Sequence, residues 1–100
     1  MSDSNQIIEK VCDYLKDKPV LRAYLFGSYA RGEQTEESDV DILVELDHSV
    51  PIGLEFLSMK KELNELLNRP VDFVSYGGLS KYVKPYIEKE KVLFYERQHS

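Results

Sequence analysis

Two aspartates, Asp39 and Asp41, stand one residue apart at the head of an apolar run, and a Gly27-Ser28 pair precedes them with ten residues between. In a β-strand alternate side chains share a face. The two carboxylates therefore point to one side, while Val40, Ile42, Val44 and Leu46 point to the other. Like charges that close raise one another's pKa and cost stability unless a cation or donor offsets them. Hard carboxylate oxygens on same-face positions suit Mg²⁺, which keeps several waters and takes substrate phosphate oxygens into its shell. Gly27 has no side chain, so backbone N–H groups can approach an anion closely, and Ser28 adds a hydroxyl. A helical turn begun by Tyr29, Ala30 and Arg31 would aim its N-terminus at the same anion. The pattern points to phosphate at Gly27-Ser28 and metal at Asp39 and Asp41.

The elements that must position these residues follow from periodicity. Ser2, Asp3, Ser4 and Asn5 are candidate N-caps for a helix whose stripe is Ile7, Ile8, Val11, Cys12 and Leu15. Asp17-Lys18-Pro19 ends it. Residues 20–26 read as a strand with apolar side chains on both faces, interrupted by Arg22 and Tyr24, which are expected to be partly exposed. The strand opened by Asp39-Val40-Asp41 runs to Leu46 and ends in a turn at residues 47–51. A second helix is set out by Leu54, Leu57, Lys61, Leu63, Leu66 and Leu67, with Phe56 and Met59 as core filling, and stops at Asn68-Arg69-Pro70. A strand over residues 71–76 carries Asp72 and breaks at Gly77-Gly78. Residues 79–90 read as helical with an interruption at Pro85, Ser80 capping the first piece and Pro85 opening the second. Tyr82, Val83, Tyr86 and Ile87 lie at helical spacings and pack on the sheet or on a partner. Residues 92–95 form a last strand, and a polar tail containing His99 begins at about residue 96. The order describes a small α/β (α+β) domain. A mixed sheet has helices mainly on one face, leaving the acid-bearing side open.

Several other residues have two readings. The Tyr29 ring either packs over the loop or contacts nucleotide or acceptor. Arg31 either pairs with a triphosphate or braces a carboxylate or the 33–37 loop, with bracing the preferred reading. The acids of that loop read as solvated. Ser38 bonds locally at its exit. His48 reads as a surface histidine, and Lys60 and Lys61 as a solvated helix face.

One hundred residues bound the chain to one domain with a modest core, burying about two-thirds of its unfolded surface. A hydrophobic content of 42% with 31% charged residues excludes a disordered chain. The net charge of −5 argues against a general nucleic-acid binder, so no direct nucleic-acid binding is expected. Cys12 is the single cysteine, so no internal disulfide forms and its thiol reads as buried. No signal peptide or apolar run long enough to cross a bilayer is present, which points to the cytoplasm.

The spacing of Gly27-Ser28 and Asp39-Val40-Asp41 resembles the signature of the DNA polymerase β-type nucleotidyltransferases. With Tyr29-Ala30-Arg31-Gly32 and Ser38, it is similar to their minimal members, the MNT-domain proteins. The resemblance covers essentially the whole chain without departure at the motif positions. It implies the polymerase β-type fold and a third carboxylate on a later strand, matched by Asp72. It implies Asp39, Asp41 and Asp72 as catalytic, metal-holding residues, with two Mg²⁺ ions between enzyme and ATP. Gly27, Ser28, Arg31 and Ser38 fall on the nucleotide side. It further implies an antitoxin that transfers AMP from ATP to a tyrosine of a HEPN-domain ribonuclease toxin, which must be a separate chain. Two alternatives stand beside this reading. One is a non-catalytic antitoxin acting by occlusion; the other is a nucleotidyltransferase acting on a small-molecule hydroxyl.

Overall fold

A computed structural model describes residues 3–33, 35 and 39–97. The expectations for Ser2, Gln34, Glu36, Glu37, Ser38 and His99 lie outside the described residues. Helix α1 (Asp3–Leu15) turns Ile7, Val11 and Leu15 inward, successive turns of one stripe. Strand β1 (Val20–Phe26) follows, then the single turn α2 (Ser28–Arg31) and strand β2 (Val40–Leu46). Helix α3 (Glu55–Leu67) leads to β3 (Val71–Ser75) and a 3-10 turn (Tyr76–Gly78). Helix α4 (Lys84–Glu90) precedes β4 (Val92–Glu96).

The four strands make one mixed sheet in the order β3-β2-β1-β4. β1 is antiparallel to both β2 and β4, and β2 is parallel to β3. A parallel pair needs a long crossover, and α3 supplies it. One face of the sheet, with Ala23, Leu25, Val40, Ile42, Val44, Val71 and Phe73, packs under α1 and α3. On the opposite face, Tyr24 and Leu43 are covered by Ile87 of the short α4. The two long helices thus lie on one side and the acids on the other. Among the described residues no helix is long and apolar enough to cross a membrane.

The buried face of α3 differs from the leucine stripe expected of it. Met59, Leu63 and Leu67 are buried, while Leu54, Leu57 and Leu66 are exposed. Four-residue steps from Met59 follow the face turned to the sheet, and Phe56 continues it by stacking on Phe73 with ring centroids 4.9 Å apart. The number of leucines was a poorer guide than their angular position.

Tyr24 is also buried rather than partly exposed. Its hydroxyl donates to the Glu45 carboxylate, which meets the polar demand of a tyrosine placed inside, and burial together with that bond pushes the phenol up to about 12. Of the apolar residues around Pro85, only Ile87 packs on the sheet; Tyr82, Val83 and Tyr86 are exposed. Residues 81–83 form a turn instead of a first helical piece. Ser80 accepts the Val83 N–H on its hydroxyl and backbone oxygens, and Pro85 sits at the start of α4, where its missing N–H costs nothing.

Candidate active site

The parallel register of β2 and β3 sets Asp41 directly beside Asp72. The antiparallel register of β1 and β2 sets Asp41 beside Phe26, so the chain leaves β1 at Gly27 next to the same carboxylate. Period-two alternation aims Asp41 and Leu43 to one side of β2, and Val40, Ile42 and Val44 into the core on the other. Asp39 precedes β2. Asp39 and Asp72 are exposed and Asp41 is half-buried.

Gly27 has φ +70° and ψ −147°, and a Cβ placed there would fall on the Asp41 carboxylate. This position therefore requires glycine twice, for its backbone and for the approach of the acid. Its carbonyl accepts the N–H groups of Ala30 at 3.1 Å and Arg31 at 3.2 Å, closing α2 as the sequence expected. Gly32, at φ +72°, stops the turn in the left-handed region. Ser28 is half-buried at the head of the turn.

Tyr29 is buried in the main core and its hydroxyl accepts from Arg69. The packing reading of this ring holds. Arg31 braces: its Nε donates to Glu33 at 2.8 Å and its Nη1 to Glu90 at 3.2 Å. Cys12 is half-buried, its thiol raised chiefly by burial and donating to the Phe94 carbonyl at 3.4 Å. His48 is exposed in its loop.

Glu90 was not singled out in the sequence. It ends α4 and accepts the Gly27 N–H at 3.0 Å. The signal available was its place three residues after the apolar Ile87, which puts it on the helix side that meets the sheet.

The Asp41 carboxyl is pushed up to about 6, first by burial and then by Asp72 and Asp39; Arg31 opposes the rise and Glu90 adds to it. Among the described residues no group of three or more His, Cys, Asp or Glu side chains is gathered closely enough to hold a metal by itself. The donors are nonetheless hard oxygens that repel one another beside the Gly27 backbone. A divalent ion shared with phosphate suits that chemistry.

The match to the nucleotidyltransferase domain model spans residues 4–94. The chain belongs to this nucleotidyltransferase family. A Methanocaldococcus jannaschii chain with the provisional name of protein adenylyltransferase is 41% identical over 95 residues, 92% of this nucleotidyltransferase and 95% of the relative. The protein adenylyltransferase MntA of Thermococcus cleftensis is 40% identical over 68 residues, 68% of each chain. A crystal structure of a toxin–antitoxin with AMP-PNP contains a chain that superposes with a TM-score of 0.72 at 25% identity. That match covers 97% of this nucleotidyltransferase and 76% of the other chain.

Proposed function

We propose that this nucleotidyltransferase is a Mg²⁺-dependent protein adenylyltransferase and antitoxin, acting as one minimal domain in the cytoplasm. It transfers AMP from ATP to a tyrosine of a separate HEPN-domain ribonuclease toxin and so neutralises it. The observation that carries the reading is the junction of Gly27, Asp41 and Asp72: an anion-approachable backbone against a carboxylate whose neighbour across the ladder is another. The adenylyltransferase names of the two relatives and the nucleotide-bearing toxin–antitoxin structure support it.

Asp39, Asp41 and Asp72 would hold the metal ions. Mg²⁺ bound there supplies charge neutralisation for the triphosphate and its leaving group. Gly27 and Ser28 hold phosphate oxygens through backbone N–H and hydroxyl donors, with Arg31 beside them; the nucleotide role that the resemblance implies for Ser38 falls outside the described residues. The exposed Asp72 carboxylate accepts the proton of the incoming tyrosine hydroxyl. The phenolic oxygen bonds to the α-phosphorus, the bond from the α-phosphorus to the α–β bridging oxygen breaks, and pyrophosphate leaves with that electron pair. Asp39 and Asp72 are exposed, as an acceptor on another protein requires.

The test is the intact mass of the toxin after incubation with this chain, ATP and Mg²⁺, against the Asp39→Asn, Asp41→Asn double variant. A gain of one or more AMP units only with the intact acids is the expected result. A stable complex without mass gain would overturn transfer in favour of occlusion.

A further inference from the structure

Carboxylate and phosphate oxygens bind the same donors, a backbone N–H and a guanidinium. At the mouth of the site those donors are engaged by a carboxylate of this chain. Gly27 N–H donates to Glu90 Oε1 at 3.0 Å, and Arg31 Nη1 reaches Oε1 at 3.3 Å and Oε2 at 3.2 Å. The contact joins residues 63 positions apart in sequence, so it belongs to the tertiary fold.

The position of Glu90 is built. Ile87, one turn earlier, is buried against Tyr24 and Leu43. Lys91, one residue later, donates its N–H to the Ile87 carbonyl at 2.8 Å and sets its ammonium 4.4 Å from the Tyr24 ring centroid and 5.0 Å from that of Tyr76. These contacts fix the end of α4 on the sheet. A carboxylate at the last residue of a helix faces unpaired carbonyl groups and is disfavoured there. Glu90 is thus held in place by Gly27 and Arg31 and gains little from its own helix. Its side chain is 33% exposed, so rotation about its own bonds carries the carboxylate into water without moving α4.

We propose that Glu90 gates the phosphate subsite: its carboxylate competes with the nucleotide's phosphate oxygens for the Gly27 N–H and the Arg31 guanidinium, and a nucleoside triphosphate binds by displacing it. The proposal rests on the nucleotidyltransferase reading of the site. The gate discriminates by charge, because only a ligand rich in phosphate oxygens matches what the carboxylate supplies. It recloses once pyrophosphate departs. A Glu90 that only braced Arg31 would have the opposite consequence, since its loss would leave the guanidinium less ordered and weaken nucleotide binding.

Calorimetric titration of the full chain with MgATP, and with inorganic tripolyphosphate plus Mg²⁺ as a probe lacking base and sugar, separates these. Removal of an exposed charge pair of this kind is expected to tighten Kd about fivefold for both probes in Glu90→Gln and Glu90→Ala. The KM for ATP should fall in step with Kd. Unchanged or weaker binding in both variants, with thermal unfolding intact, overturns the gate, and weaker binding leaves Glu90 as a brace. Binding of neither probe by the unaltered chain or by the variants overturns the gate together with the nucleotide reading. Binding and AMP transfer by the unaltered chain, with no tightening in the variants, overturns the gate alone.

Discussion

The α-carbon of Gly27 lies against the Asp41 carboxylate, so closely that a methyl group there would come within 2.1 Å of one of its oxygens. Gly27→Ala therefore displaces the acid and strains a backbone at φ +70°. The expected outcome is a stability loss of about 2 kcal/mol and a fall in AMP transfer of about a hundredfold. Gly32→Ala is the matched control, because it shares the positive φ but meets nothing within 4 Å. It should lose about 1 kcal/mol and keep most of its transfer. Thermal unfolding and transfer rate, measured on the same preparations, check both.

Asp41 also sets a pH dependence. Its carboxyl rises from 3.8 to about 6 on folding, so between those values the folded chain binds more protons than the unfolded one. Stability contributed by the protonated acid is present below about pH 4 and is lost as pH rises through about 6. Asp41→Asn should flatten that limb and stabilise the chain at pH 7.5 by roughly 1 to 2 kcal/mol, a two-unit shift discounted for partial exposure. Mg²⁺ should raise the Tm of the unaltered chain above pH 6 more than that of the variant. Unfolding series from pH 4 to 8, with and without Mg²⁺, test this.

Tyr29 belongs to the core and lends its hydroxyl to Arg69. Tyr29→Phe keeps the ring and removes the acceptor. Stability should fall by about 1 kcal/mol while the Kd for MgATP stays within about twofold. A large loss of nucleotide affinity at unchanged stability would return this ring to the binding site.

The inward face of α3 is tested by a pair of leucines. Leu63 is fully buried and Leu57 is 62% exposed. Leu63→Ala should cost about 3 kcal/mol, and Leu57→Ala less than about 0.5 kcal/mol, in denaturant unfolding. Comparable losses at both positions would reject this orientation of the helix.

The acids, the glycine and the strand faces were readable because alternation in a strand and the backbone freedom of glycine are local properties. Asp41 faces away from Val40 and Ile42 whatever the neighbouring strand is. The α3 stripe was harder, because leucines at positions 54, 57 and 66 competed with Met59 as apolar markers and only the sheet selects among them. The burial of Tyr24 is hidden from the local sequence for a related reason: a phenol is buried when a partner such as Glu45 meets its hydroxyl, and that partner is 21 residues away.

From the sequence alone came the donors and their shared face: Gly27-Ser28, then Asp39 and Asp41 on one side of an apolar strand, with Asp72 on a later one. The tertiary structure decided which carboxylates meet. Asp41 lies beside Asp72 because β2 and β3 pair in parallel, and Glu90 reaches Gly27 because Ile87 seats α4 on Tyr24 and Leu43. Strand order and helix docking are set by the burial of apolar surface from distant parts of the chain, and no short-range pattern encodes that.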